Sequence, residues 1–372
     1  MSILGIDQIS YGASDLATCR RFFADWGLRL VDDGATRLVF ESLNGCRVVV
    51  TDPAQLHDLP PAIEAGPTLR EVVWGVSDAA TLDALRARIA SAPGFTSSAS
   101  QIGCIDPNGM AVRLQLSVKR AVHITGAHTN TWDRKERIDQ RSPIYERAEP
   151  IEVGHVVFFV ADLAATEAFY AGLGFVTSDR YPGRGAFMRC DADGGHHDLF
   201  LLKTPDGKRG LNHVAFTVRD IHEVFGGGLH FSRCGWDTQL GPGRHPISSA
   251  YFWYFKNPAG ALCEYYANED QLTAACQPRD FEPGPTLAEQ GIAGVVVPSW
   301  YALLAPAGTP PALVQALAAE VNAQLAQPAT REALAAQGLV LWTLSPEQLG
   351  AHIRAETQQW ARIIRDRKIT AE

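Results

Sequence analysis

Two long stretches of this 372-residue chain repeat each other. Asp15-Leu16 recurs as Asp162-Leu163, Phe22-Phe23 as Phe169-Tyr170, and Gly27 as Gly174, at a constant offset of 147 residues. Further on, Leu69-Arg70-Glu71-Val72-Val73-Trp74 parallels Leu211 to Phe216, and Asp106-Pro107-Asn108-Gly109 parallels Asn257-Pro258-Ala259-Gly260. A duplication constrains the fold more than any local pattern, because both copies must form the same supersecondary unit. In each copy an apolar, strand-like run (Ile6 to Tyr11; Gly154 to Val160) precedes an aspartate that opens a helical pattern. The expected architecture is α+β, with two tandem modules of paired β-α-β-β-β units at residues 1–120 and 150–280.

The repeat also supplies an internal control. The second module places His155 at the start of one apolar run, His213 in Leu211-Asn212-His213-Val214-Ala215-Phe216, and Glu264 in Cys263-Glu264-Tyr265-Tyr266, separated by 58 and 51 residues. Two imidazoles and one carboxylate on three strands are the ingredients of a facial triad, which holds Fe(II) on one side and leaves positions open for substrate and dioxygen. A single buried histidine is ordinarily a hydrogen-bonded core residue. The first module, however, has Gln8, Glu71 and Arg113 at the same three positions, and arginine has no acceptor with which to bind a metal. One copy keeps ligand chemistry and the other has lost it.

Other polar residues stand near these runs. His197, in Gly195-His196-His197-Asp198, precedes an apolar strand and has the ring chemistry of a proton shuttle; its neighbour His196 reads as a solvated loop residue. His245, in Gly243-Arg244-His245, and Tyr254, in Phe252-Trp253-Tyr254-Phe255, flank the strand before Glu264 and can hydrogen-bond a substrate oxygen. Gly226-Gly227-Gly228 and Gly241-Pro242-Gly243 read as loops.

The formal net charge is -8, from 33 Lys and Arg against 41 Asp and Glu, which argues against nucleic acid as a partner. No apolar run reaches the roughly 18 residues of a membrane span. The seven cysteines are scattered, with no Cys-x-x-Cys pair, and the start lacks a signal-like segment, so a cytoplasmic protein with reduced thiols is expected. Residues 121–149 form a polar linker, with Trp132 and Ile144 as expected apolar anchors. Residues 283–372 are Ala/Leu/Gln-rich and helical in pattern. Pro310-Pro311 start a helix with a stripe at Leu313, Leu317, Val321 and Leu325. Gly338 is expected to stop a short helix after Thr330. Ser345-Pro346-Glu347-Gln348 is a capping box before a second stripe at Leu349, Ile353, Trp360 and Ile364. Both stripes are expected to be buried.

Residues 1 to about 275 resemble the vicinal-oxygen-chelate (glyoxalase/bleomycin-resistance) superfamily, and within it the type I extradiol ring-cleaving dioxygenases. The resemblance rests on Gly154-His155-Val156, His196-His197-Asp198-Leu199, Leu211-Asn212-His213, Gly241-Pro242-Gly243-Arg244-His245 and Tyr254-Phe255-Lys256-Asn257-Pro258-Ala259-Gly260 followed by Glu264. It implies Fe(II), less often Mn(II), on His155, His213 and Glu264, with His197 as acid-base residue and His245 and Tyr254 on the substrate oxygens. It also implies a small aromatic diol and O2 as substrates, a metal-free first module, and a homo-oligomer. Lys256-Asn257 departs from the more usual Phe-Asp of the family.

Other readings on the same fold are a hydroquinone-cleaving dioxygenase, a glyoxalase-like isomerase, or a non-enzymatic small-molecule binding or sensing protein. Isomerases of the superfamily draw ligands from both modules, which Gln8, Glu71 and Arg113 disfavour. Pro285-Thr286-Leu287-Ala288-Glu289 and Ser299 to Pro310 resemble the C-terminal fragment of solute-binding proteins of tripartite tricarboxylate transport. A complete solute cleft is not expected from that fragment.

Overall fold

The computed structural model describes residues 2–55, 59–281, 302–335, 341 and 343–367. It divides into two units, Met1–Gly284 and Pro285–Glu372. In the first unit, one half contains β1 (Ile3–Gly12), α1 (Leu16–Asp25), β2 (Arg29–Asp33), β3 (Arg37–Glu41), β4 (Arg47–Thr51), β5 (Thr68–Val76), α2 (Ala79–Ile89), β6 (Thr96–Ser97), β7 (Gln101–Ile105) and β8 (Ala111–Leu116). The other contains β9 (Glu152–Phe159), α3 (Leu163–Leu173), β10 (Val176–Tyr181), β11 (Gly185–Arg189), β12 (Gly194–Gly195), β13 (Leu199–Leu202), β14 (Gly210–Thr217), α4 (Ile221–Arg233), β15 (Thr238–Arg244), β16 (Tyr251–Lys256), β17 (Leu262–Ala267), β18 (Gln271–Leu272) and β19 (Arg279–Asp280).

The two sheets have one topology. The first runs β2-β3-β4-β1-β5-β8-β7-β6; the second, read from its far edge, runs β19-β10-β11-β13-β9-β14-β17-β16-β15, the same order with β19 added. Four aspartates, Asp15, Asp78, Asp162 and Asp220, each cap one crossover helix by accepting the N–H three residues on, satisfying a donor that the first turn leaves free. Gly27 and Gly174, matched in the repeat, turn the chain out of α1 and α3 at φ of 95° and 112°, where a side chain is strained.

One hydrophobic core runs through both halves. Trp26, just after α1, stacks on Tyr265 of β17 with ring centroids 3.6 Å apart, and the Tyr265 hydroxyl donates to the Trp26 carbonyl at 2.8 Å. Phe22 stacks on Trp26 at 5.7 Å, Phe231 meets Trp26 edge-on at 4.9 Å, and Trp236 packs edge-on against Phe22.

Several details depart from the sequence expectations. Gly226, Gly227 and Gly228 lie inside α4 rather than in a loop. A Cβ at Gly228 would run into the Trp253 ring, and one at Gly227 into Ala148. The glycines let α4 lie close against β16 and the end of the linker, and that packing offsets the roughly 1 kcal/mol each costs in a helix. Gly241-Pro242-Gly243 belongs to β15. Trp132 and Ile144 are exposed, 93% and 92%, so the linker anchors are instead Ala148, fully buried, and Tyr145, over which the Arg219 guanidinium sits at 4.9 Å.

In the second unit α5 (Pro311–Ala326), α6 (Pro328–Ala335) and α7 (Pro346–Arg367) are helical as expected. The Ser345 capping box is formed, with Gln348 N–H donating to Ser345 Oγ at 3.2 Å and Ser345 N–H to Gln348 Oε1 at 2.8 Å. The α5 stripe is not buried. Leu313 and Leu317 are about half exposed. Gly338 and Ser299 to Tyr301 lie outside the described residues, as does the side chain of Ile364.

Candidate metal centre

The ligand positions follow from strand register. Across the second sheet, Tyr254 pairs with Glu264, Glu264 with Ala215, and Ala215 with His155. Paired residues point to the same face, and His213, two before Ala215, joins them. Three adjacent strands thus deliver His155, His213 and Glu264 to one spot. The three Nε2/Oε2 atoms form a near-equilateral triangle: His155 to His213, His155 to Glu264 and His213 to Glu264 are each 3.2 Å. Cis ligands about 2.2 Å from an octahedral ion stand about 3.1 Å apart, so this triangle matches one face of such a site.

The electrostatics point the same way. Glu264 has no solvent exposure, yet neither of its carboxylate oxygens makes a hydrogen bond. A buried carboxylate without directed donors lacks a counter-charge. Burial pushes the His155 ring down to about 4, against the pull of Glu264, so at neutral pH it offers a lone pair. Asn212 Oδ1 lies 2.7 Å from His213 Nδ1. An amide oxygen only accepts, so Nδ1 carries the proton and Nε2 is free to ligate. Sequence reasoning does not single out Asn212; its only signal is its place beside a candidate ligand.

The triad opens on a cavity of about 210 Å³ lined by His197, His245, Asn212 and Tyr254 on its polar side. Phe187 and Phe200, stacked 3.8 Å apart, form part of the apolar wall. His197 lies against His155, ring centroids 4.2 Å apart, and burial, followed by the His155 charge, holds its pKa well below the ordinary value. His245 Nε2 is 3.0 Å from the Tyr254 hydroxyl and 3.5 Å from Glu264 Oε1. Burial, then Glu264, raises the Tyr254 phenol well above 10, leaving it a donor. All six expected site residues therefore meet in one place. His196, expected in solvent, has no exposure, because Asp179 and the His197 ring enclose it.

Among the described residues one other group, Asp25, His230 and Cys234, brings three metal-binding side chains together. Each already has a partner there: Trp236 Nε1 donates to Asp25 at 2.9 Å, and His230 faces the Cys234 thiol at 3.5 Å. A larger groove of about 750 Å³ between α2 and α3 contains none of the histidines.

Known proteins resemble the second module and the fold around it. Residues 152–265 match the model of the Glyoxalase/Bleomycin resistance protein/Dioxygenase superfamily. Metapyrocatechase 2 of Cupriavidus necator is 34% identical over 182 residues, 47% of this chain and 55% of the relative. The chain thus spans about half the length of that curated protein. The fold of about three quarters of the chain is shared with a Mn(II)-bound glyoxalase from Novosphingobium aromaticivorans (TM-score 0.59, 22% identity, 79% of this chain and 91% of the other) and with a catechol 2,3-dioxygenase (TM-score 0.58, 20% identity, 76% and 93%). Residues 276–369 match the model of the Tripartite tricarboxylate transporter family receptor.

Proposed function

We propose that this chain is an extradiol ring-cleaving dioxygenase acting on a one-ring aromatic diol with adjacent hydroxyls. Fe(II) is the preferred ion, held by His155, His213 and Glu264, and Mn(II) the less favoured one. The observation that carries the proposal is the 3.2 Å triangle of buried ligand atoms opening on a cavity that also presents His197. The ion would supply Lewis acidity toward the two hydroxyls and a route for electrons from the ring to dioxygen.

The protein's own groups account for binding and proton traffic. A cavity of about 150 Å³ is enough for benzene, so about 210 Å³ has room for a one-ring diol. Phe187 and Phe200 give it an apolar wall, and His245 and Tyr254 hydrogen-bond one diol oxygen. The unprotonated His197 ring takes a proton from the bound diol and returns it to the oxygen that becomes the product carboxyl. Ring opening retains both oxygen atoms. The Glu71–Arg113 pair at 2.6 Å occupies the matching positions of the first module, which disfavours the isomerase reading.

Oxygen uptake by Fe(II)-loaded protein on addition of one-ring catechols tests the proposal. Equimolar uptake with ¹⁸O₂ label at both new oxygens is expected. Iron retained at the triad with no uptake for any adjacent diol would overturn it.

A further inference from the structure

Behind His197 lies a line of buried polar side chains that the mechanism above leaves unused. His196 and Asp179 have no solvent exposure. His196 Nε2 is 2.8 Å from Asp179 Oδ2, and His196 Nδ1 is 3.1 Å from His197 Nδ1. Arg279 closes the far end: its Nη2 donates to Asp179 Oδ2 at 2.8 Å, and its Nε and backbone N–H donate to Oδ1 at 2.9 and 3.1 Å. These residues come from β10, the turn before β13, and β19, the edge strand with no counterpart in the first module.

The direction of each hydrogen bond follows from what each group can do. An ionised carboxylate only accepts, so His196 Nε2 carries a proton. Arg279 already balances the Asp179 charge, so His196 has no need of a charge of its own. Burial, the leading influence on its ring, also favours the neutral form, although Asp179 pulls the other way. A neutral ring protonated on Nε2 has a lone pair on Nδ1. At 3.1 Å from another ring nitrogen, that lone pair requires an N–H on His197 Nδ1. The neutral His197 ring is then bare at Nε2, which has no hydrogen-bond partner among the described residues, and the ring lines the metal-side cavity.

We propose that His196, held by Asp179 and Arg279, is a positioning residue that fixes His197 in its Nδ1–H tautomer and leaves an unprotonated Nε2 for the substrate. The proposal rests on His197 being the acid-base residue of the proposed reaction. It generalises the arrangement in which a base is oriented by a third group through its second nitrogen. His196 does not touch the substrate in this scheme.

The test uses the full chain, free of metal and labelled with ¹⁵N-histidine, so that tautomers are read from nitrogen shifts and two-bond couplings without reference to activity. His197 protonated on Nδ1 and bare on Nε2 is expected in the wild type. His196→Phe, which keeps a ring but removes both hydrogen bonds, is expected to convert His197 to the Nε2–H form or a mixture. With Fe(II) loaded, the same variant is expected to lose about 10- to 100-fold in kcat on a one-ring catechol, with KM and iron content unchanged. A wild-type His197 protonated on Nε2 overturns the proposal, and this needs no variant to fold. So does a soluble His196→Phe protein with wild-type kcat. Wild-type protein that consumes no oxygen with any diol but shows the Nδ1–H tautomer would overturn the activity proposed above and still support this assignment.

Discussion

In the first module, Glu71 and Arg113 lie 2.6 Å apart across β5 and β8. At the same two register positions the second module has His213 and Glu264. The backbones are equivalent, since Val73 pairs with Arg113 as Ala215 pairs with Glu264. The first module balances its carboxylate with a guanidinium from its own chain. The second surrounds a fully buried carboxylate with rings that have lone pairs to give and no fixed charge. Gly103 stands where Tyr254 stands in the sister copy, and Arg113 reaches past it to Gln101 Oε1 at 3.3 Å. One set of positions is balanced within the chain; on the proposed reading the other takes its counter-charge from a bound ion. The difference lies in where the counter-charge of a buried carboxylate comes from.

The largest expected effect separates the two copies outright. His155→Ala, His213→Ala and Glu264→Ala each lose bound iron and ring cleavage, whereas Gln8→Ala, Glu71→Ala and Arg113→Ala leave metal content unaltered. Metal analysis of the six purified proteins checks this, and full iron occupancy in any of the first three breaks the comparison. Next in size is His197→Asn, expected to keep iron and substrate while losing about 10² to 10⁴ in turnover; wild-type kcat across neutral pH would remove His197 from its role. Smaller again, Glu71→Ala should cost about 1 kcal/mol of stability, because its partner Arg113 is 40% exposed and partly screened. A thermal melt reads this, and a loss several-fold larger would mean that the inert copy's ion pair is a structural keystone.

A further expected effect, read as a slope with pH rather than as a loss, concerns Glu269, whose counterpart in the first module is Val118. Burial, followed by the Asp198 charge, raises its pKa from 4.5 to about 8. A carboxyl with a raised folded-state pKa keeps its proton on folding where the unfolded chain has lost it. Stability from this group therefore falls as pH rises from about 4.5 to 8. Glu269→Gln should flatten that part of the melting-temperature profile. An identical slope in the variant would assign the trend elsewhere.

Much of this is legible in the sequence because the repeat alone sets equivalent positions of the two modules side by side. The caps at Asp15 and Asp162, the modules and the convergence of His155, His213 and Glu264 follow from register, which repeats with the chain. What stays hidden depends on distant partners. His196 is enclosed by Asp179, 17 residues before it, which Arg279, 83 residues after it, holds in turn, and no local pattern separates it from its neighbour His197. Gly226 to Gly228 carry a loop-like composition, and only the Trp253 and Ala148 side chains against them explain a helix there. Trp132 and Ile144 mislead for the opposite reason: apolar residues suggest anchors, but the linker passes over nothing that covers them.

The stacking of Trp26 on Tyr265 ties the two halves together beside the site. Tyr265 follows Glu264 directly, so the strand that presents the carboxylate leans on a ring of the first half. Truncating that half is expected to loosen the Glu264 strand along with it.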